Sequence, residues 1–144
     1  MGSVGEWEKL AQRCEKARGP DRGLDALIFI LADDRPEWAR NDDRKLIAAP
    51  VKWSDQLEIS LGKHGPRLEA PYYTGSLDVI VSLIEQELPG KRWKSGKSEG
   101  WNSEQADEPY AACANSKIII AATPALALCA AFCRAMAAKC EDGK

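Results

Sequence analysis

The chain has 144 residues, 44% of them hydrophobic and 29% charged, the proportions of a soluble globular protein. One domain of this length buries roughly two-thirds of its unfolded surface. With 20 Lys and Arg against 22 Asp and Glu, the net charge of −2 supplies no global attraction to nucleic acid or to an anionic membrane, so any such binding must come from a local patch.

Residues 1–6 are polar and lead directly into an amphipathic pattern, so no signal peptide is expected. Trp7, Leu10, Cys14 and Ala17 recur at three-and-four spacing and predict a first helix over residues 6–18, ended by Gly19-Pro20. Asp21 is placed to cap a second helix running to about residue 32, with Leu24, Leu27, Ile28 and Leu31 on its apolar face. The short polar break between the two predicts an antiparallel helical hairpin over 6–32. Residues 33–72 read as an irregular connection, in which Leu57, Ile59 and Leu61 alternate with Glu58 and Ser60 and predict one short strand. Trp38 and Trp53 are expected to pin this long connection to the core, because a structureless loop of such length is unusual in a compact domain.

A third helix is predicted over 76–88, with Leu77, Ile80, Val81, Ile84 and Leu88 in one stripe. Ser76 or Thr74 would cap it, Asp78 would complement its dipole, and Pro89-Gly90 would end it. A strand over 91–95 and a turn-rich stretch over 96–107 follow. One long strand is then predicted over 110–122, finishing in Ile118-Ile119-Ile120 and covered on both faces at that end. Thr123 and Pro124 open a last helix, and residues 121–140 are apolar nearly all round, which calls for burial along most of the length. The apolar run 118–132 is split by Thr123-Pro124 and is shorter than the ~20 residues of a membrane span. The expected fold is therefore α+β: a small, mainly antiparallel sheet layered between helices, an α/β/α sandwich with a buried C-terminal helix. It forms one domain over 1–144, with its helix–strands–helix core over 73–140.

Few residues point to chemistry. His64, the sole histidine, lies in a Gly-rich turn. Cys14, Cys113, Cys129, Cys133 and Cys140 are odd in number and lack Cys-x-x-Cys spacing, so they read as reduced, small apolar residues of a cytoplasmic protein rather than as a disulfide framework or a zinc site. Asp33-Asp34 and Asp42-Asp43 lie among arginines and read as a solvated, self-neutralising surface. No nucleophile elbow, phosphate loop or dinucleotide fingerprint is present. The expectation is a non-enzymatic chain without catalytic residues, metal, cofactor or evident small-molecule ligand.

The best contact candidates are Lys91, Arg92, Trp93, Lys94, Lys97 and Trp101, basic residues interleaved with aromatics on an exposed strand. Such a strand can meet phosphates and stack a base. Equally, its lysines can guard a sheet edge against aggregation. The order helix, strands, helix over 76–139 resembles a double-stranded RNA-binding domain, but the last helix opens with uncharged Thr123-Pro124-Ala125-Leu126 where such a domain carries lysines.

Tyr73-Thr74-Gly75-Ser76-Leu77-Asp78, Leu88-Pro89-Gly90 with Arg92-Trp93, and Ala122-Thr123-Pro124-Ala125-Leu126-Ala127-Leu128-Cys129-Ala130-Ala131 together resemble the phage ABA sandwich domain family. Residues 19–25 resemble that family's N-terminal helix start, whereas 33–72 have no counterpart in it. The resemblance implies a sheet layered between helices and a phage or prophage origin, and it brings no catalytic residues. The functional expectation is an accessory protein acting through contacts with a protein partner or as a homodimer, with nucleic-acid binding by residues 91–97 as the alternative.

Overall fold

A computed structural model describes residues 3–50, 57–97, 109–114 and 118–142. Helix α1 spans Val4–Lys16 and opens with a capping box, in which Ser3 Oγ accepts from the Glu6 N–H and Glu6 Oε1 accepts from the Ser3 N–H. Its buried stripe is Trp7, Leu10, Ala11 and Cys14, as the spacing predicts. Helix α2 spans Arg22–Ala32, with Asp21 Oδ1 accepting from the N–H groups of Gly23 and Leu24. Glu6 and Lys9, at the start of α1, lie beside Ile30 and Leu31, at the end of α2, so the two helices form the expected antiparallel hairpin.

The buried face of α2 is rotated from the expected one. Leu24 and Ile28 are buried, but Leu27 and Leu31 are half-buried along a cleft toward α1, and Asp25, Ala26, Phe29 and Ala32 are buried in their place. A buried aspartate breaks the apolar periodicity, which is why the stripe was misplaced.

Residues 33–72 hold more regular structure than one strand. A 3-10 turn at Glu37–Ala39 precedes β1 (Leu46–Pro50), β2 (Leu57–Leu61) and β3 (Arg67–Leu68), an antiparallel meander called here sheet A. The strand at 57–61 is the predicted one, with Ile59 and Leu61 buried. Trp38 does not pin this region, because 63% of it is exposed; Trp53 lies outside the described residues.

Helix α3 spans Leu77–Glu87 and buries Ile80, Leu83 and Ile84, with Leu88 buried just beyond it. Leu77 is exposed and Val81 half-buried, so Leu83 replaces them in the stripe. Ser76 occupies the N-cap position without a side-chain cap bond, and Thr74 is engaged elsewhere.

The long strand expected over 110–122 is two strands. β5 (Pro109–Cys113) ends at Ala114, which turns with φ 54°, and β6 (Ile119–Ile120) returns antiparallel to it, pairing Tyr110 with Ile120 and Ala111 with Ile119. The Ile118-Ile119-Ile120 run accordingly has one covered face: Ile119 is buried, whereas Ile118 and Ile120 are 56% and 43% exposed. β4 (Trp93–Lys97) pairs with the other side of β5, giving a second antiparallel sheet, B, of order β4-β5-β6.

Helix α4 spans Pro124–Asp142, with Thr123 Oγ1 accepting from the Leu126 N–H. Every residue from 125 to 133 is buried. α1, α3 and sheet B all pack on this helix, and Trp7 of α1 meets Phe132 edge-on, ring centroids 5.7 Å apart. The fold is α+β with a buried C-terminal helix, as expected, but its strands are divided between two antiparallel sheets. Among the described residues no helix is long and apolar enough to cross a membrane.

Candidate functional site

Strand β4 carries Trp93, Lys94 and Lys97 of the residues singled out by sequence, and among the described residues it is an edge strand. In an antiparallel pair, residues alternate between those that exchange hydrogen bonds with the partner strand and those that turn their N–H and C=O away. The Ala114 N–H donates to the Arg92 carbonyl at 2.6 Å, which marks Arg92 with Ala114 as a bonded pair. In the same register Lys94 with Ala112 and Gly96 with Tyr110 are bonded pairs too. The backbone groups of Trp93, Ser95 and Lys97 therefore face the open side of the sheet.

Side-chain alternation divides the candidates between two faces. Ala111, Cys113 and Ile119 belong to the core beneath sheet B, so Trp93 and Ser95, opposite Cys113 and Ala111, share the face that packs on α4. Lys94 and Gly96 take the other face with Ala112, Tyr110 and Ile120. Lys91, Arg92, Trp93 and Lys94 are all exposed, Trp93 by 36%. The strand thus brings Lys94 together with Tyr110 and Ile120 but sets Trp93 on the opposite side. The Lys97 side chain and Trp101 lie outside the described residues. On the outer face, the Tyr110 ring lies across Gly96, where an added Cβ would come within 3.0 Å of the hydroxyl. A larger residue there would have to displace the Tyr110 ring by a few tenths of an ångström.

The most elaborate polar cluster was missed from the sequence. Asp25, 1% exposed, accepts from the Thr74 N–H at 2.7 Å, from Thr74 Oγ1 at 2.9 Å and from Arg22 Nη1 at 2.9 Å. Arg22 also donates to the carbonyls of Ala70 and Pro71, and its guanidinium lies 3.9 Å from the Tyr72 ring centroid. Thr74 Oγ1 accepts in turn from the Asp21 N–H. Burial raises the Asp25 pKa, against the opposing pull of the Thr74 and Arg22 bonds. A cleft of about 580 Å³ opens beside Arg22, Arg67, Glu69 and Tyr72, but Arg22 is spent on tying the 70–74 segment to α2. Asp25 and Thr74 stand 49 residues apart, and no local spacing signals their meeting.

Asp33 and Asp34, adjacent in sequence, go separate ways. Asp33 pairs with Arg35 at 2.5 Å, whereas Asp34 accepts from the buried Tyr73 hydroxyl and from Gln86. Burial, then the Asp34 carboxylate, push the Tyr73 pKa upward. Arg44 hydrogen bonds pull the Asp42 pKa down to about 2. His64 is exposed in its turn. Cys129 and Cys133 meet Cys14 of α1 inside the core, and burial raises the pKa of both α4 thiols. Among the described residues no group of three or more His, Cys, Asp or Glu is placed to hold a metal ion.

No family model, curated protein or solved structure matches the chain.

Proposed function

We propose that the chain is a small protein-binding module that works through contacts made at sheet B, with no chemistry of its own. The observation that carries this reading is the coincidence, in one sheet, of an open backbone edge at β4 with exposed Trp93, Ile118 and Ile120. A phage or prophage accessory role belongs to the same proposal, and its support is the sequence resemblance of residues 73–78, 88–93 and 122–131. Cytoplasmic residence is part of it, supported by buried cysteines that burial keeps in the thiol form.

Nucleic-acid binding is the second reading, favoured by the exposed Lys91, Arg92 and Lys94. The net charge of −2 and the facing of Lys94 away from Trp93 weigh against it, since they leave Tyr110 as the aromatic on the Lys94 face. Photo-cross-linking separates the two. A benzophenone side chain at Ile120, in cells producing the protein, is expected to capture a protein or a second copy of the chain, while the same group at exposed Glu8 on α1 is not. Equal capture at both positions, or capture of nucleic acid alone, would contradict the module reading.

A further inference from the structure

We propose that β4 takes up an extended peptide segment as an added strand, and that this segment alternates carboxylate and apolar side chains. The inference rests on the protein-binding reading and names the partner's chemistry. Trp93, Ser95 and Lys97 direct their backbone donors and acceptors away from β5, so they present the ladder that an incoming strand pairs with. Among the described residues, β4 packs on β5 and α4, with no other element laid extensively along its open side.

Alternation dictates what the incoming side chains meet. Those on the outer face would lie beside Arg92 and Lys94, where carboxylates are matched and like charges are disfavoured. Those on the inner face would lie beside the half-exposed Trp93, on the side of the sheet that packs on α4, where apolar groups are matched. A second copy of the chain does not fit this edge: pairing β4 with itself would gather two sets of Lys91, Arg92 and Lys94 along one junction. The lysines that deter self-association thereby select an acidic partner.

The test is fluorescence anisotropy at low salt with three labelled probes: an end-blocked peptide alternating Glu and Val, one alternating Lys and Val, and a single-stranded oligonucleotide. The Glu/Val peptide is expected to bind, and more weakly as salt rises. Ser95→Pro removes an outward N–H without touching a β4–β5 bond, so it is expected to weaken binding about tenfold while the melting temperature holds. Lys94→Glu keeps every backbone bond and is expected to lose the Glu/Val peptide and gain the Lys/Val one. Several outcomes would overturn the proposal: no peptide binding, Glu/Val binding indifferent to Ser95→Pro in a folded variant, or wild-type preference for Lys/Val. All three leave the protein-binding reading standing if the Ile120 cross-link forms. Tight oligonucleotide binding indifferent to Ser95→Pro would overturn both.

Discussion

Sheets A and B have the same size and antiparallel pairing, and both bury apolar side chains, yet only sheet A adds a buried polar fastening. Sheet B lies on α4 and buries small apolar groups, Ala111, Cys113 and Ile119. Sheet A packs on α2, and the chain leaving it is fastened by Arg22, Asp25 and Thr74. Their free edges differ as well. The Gly62 N–H donates to the Lys45 carbonyl, so by the same alternation Leu46, Ala48 and Pro50 face outward from β1, and Pro50 has no N–H to offer. β1 is blunted by its backbone and β4 only by its charges. A buried charged cluster here marks a structural fastening, and β4, the longer edge of sheet B and free of proline, is the place to look for binding.

The support of sheet B can be broken outright. Leu128→Asp places an unpaired carboxylate at a fully buried position of α4, a cost of about 4 kcal/mol or more, and circular dichroism is expected to show no cooperative melt. A native melting temperature would make α4 peripheral. For sheet A the corresponding change is Asp25→Ala, which leaves the buried Thr74 N–H without its acceptor and removes one bond each from the Thr74 hydroxyl and Arg22. Urea denaturation is expected to report a loss of about 3 kcal/mol with the fold retained. A loss below about 1 kcal/mol would mean that the cluster is not the fastening of sheet A.

Thiol reactivity sharpens the contrast without a mutation. Cys113 lies beneath sheet B, where burial raises its pKa to about 11, and Cys14, Cys129 and Cys133 are buried as well, whereas Cys140 is half-buried near the end of α4. An aromatic disulfide reagent is expected to modify Cys140 alone in the native chain and all five thiols in denaturant. Rapid native reaction of Cys113 would show that sheet B opens away from α4.

The smallest effect is a pH dependence of opposite sign at two aspartates near sheet A, Asp25 and Asp42. Because the folded pKa of Asp25 lies above the ordinary 3.8, the folded chain holds more protons than the unfolded one above that value, so its contribution to stability falls as pH rises through the window. Asp42 has the opposite sign: its contribution is present above 3.8 and is lost as pH falls toward 2. Carboxyl carbon NMR is expected to place the two midpoints on either side of 3.8. A common midpoint for both would remove the distinction.

Local signals wrote much of this structure plainly. The capped starts of α2 and α4, the Trp7-Leu10-Cys14 stripe and the Leu57-Ile59-Leu61 alternation all depend on neighbours within a turn or a strand. The reversal between β5 and β6 had a local signal as well, because polar Asn115-Ser116-Lys117 interrupts the run from Tyr110 to Ile120 just after the turn at Ala114, and reading 110–122 as one strand passes over it. β1 was missed because Ile47-Ala48-Ala49 is short and ends in a proline. As for the site, Lys91, Arg92, Trp93 and Lys94 were readable as an exposed basic strand, but their division between two faces follows from the register with Cys113 and Ala112, which composition does not encode.

The open edge of β4 is tested most directly by residue-resolved amide hydrogen exchange. The alternation predicts fast exchange at Trp93 and Ser95 and protection at Lys94 and Gly96, with Trp93 and Ser95 slowed when the Glu/Val peptide is added. Uniform protection along β4 in the free protein would mean that the edge is already occupied, and the account of it as a docking strand would fail.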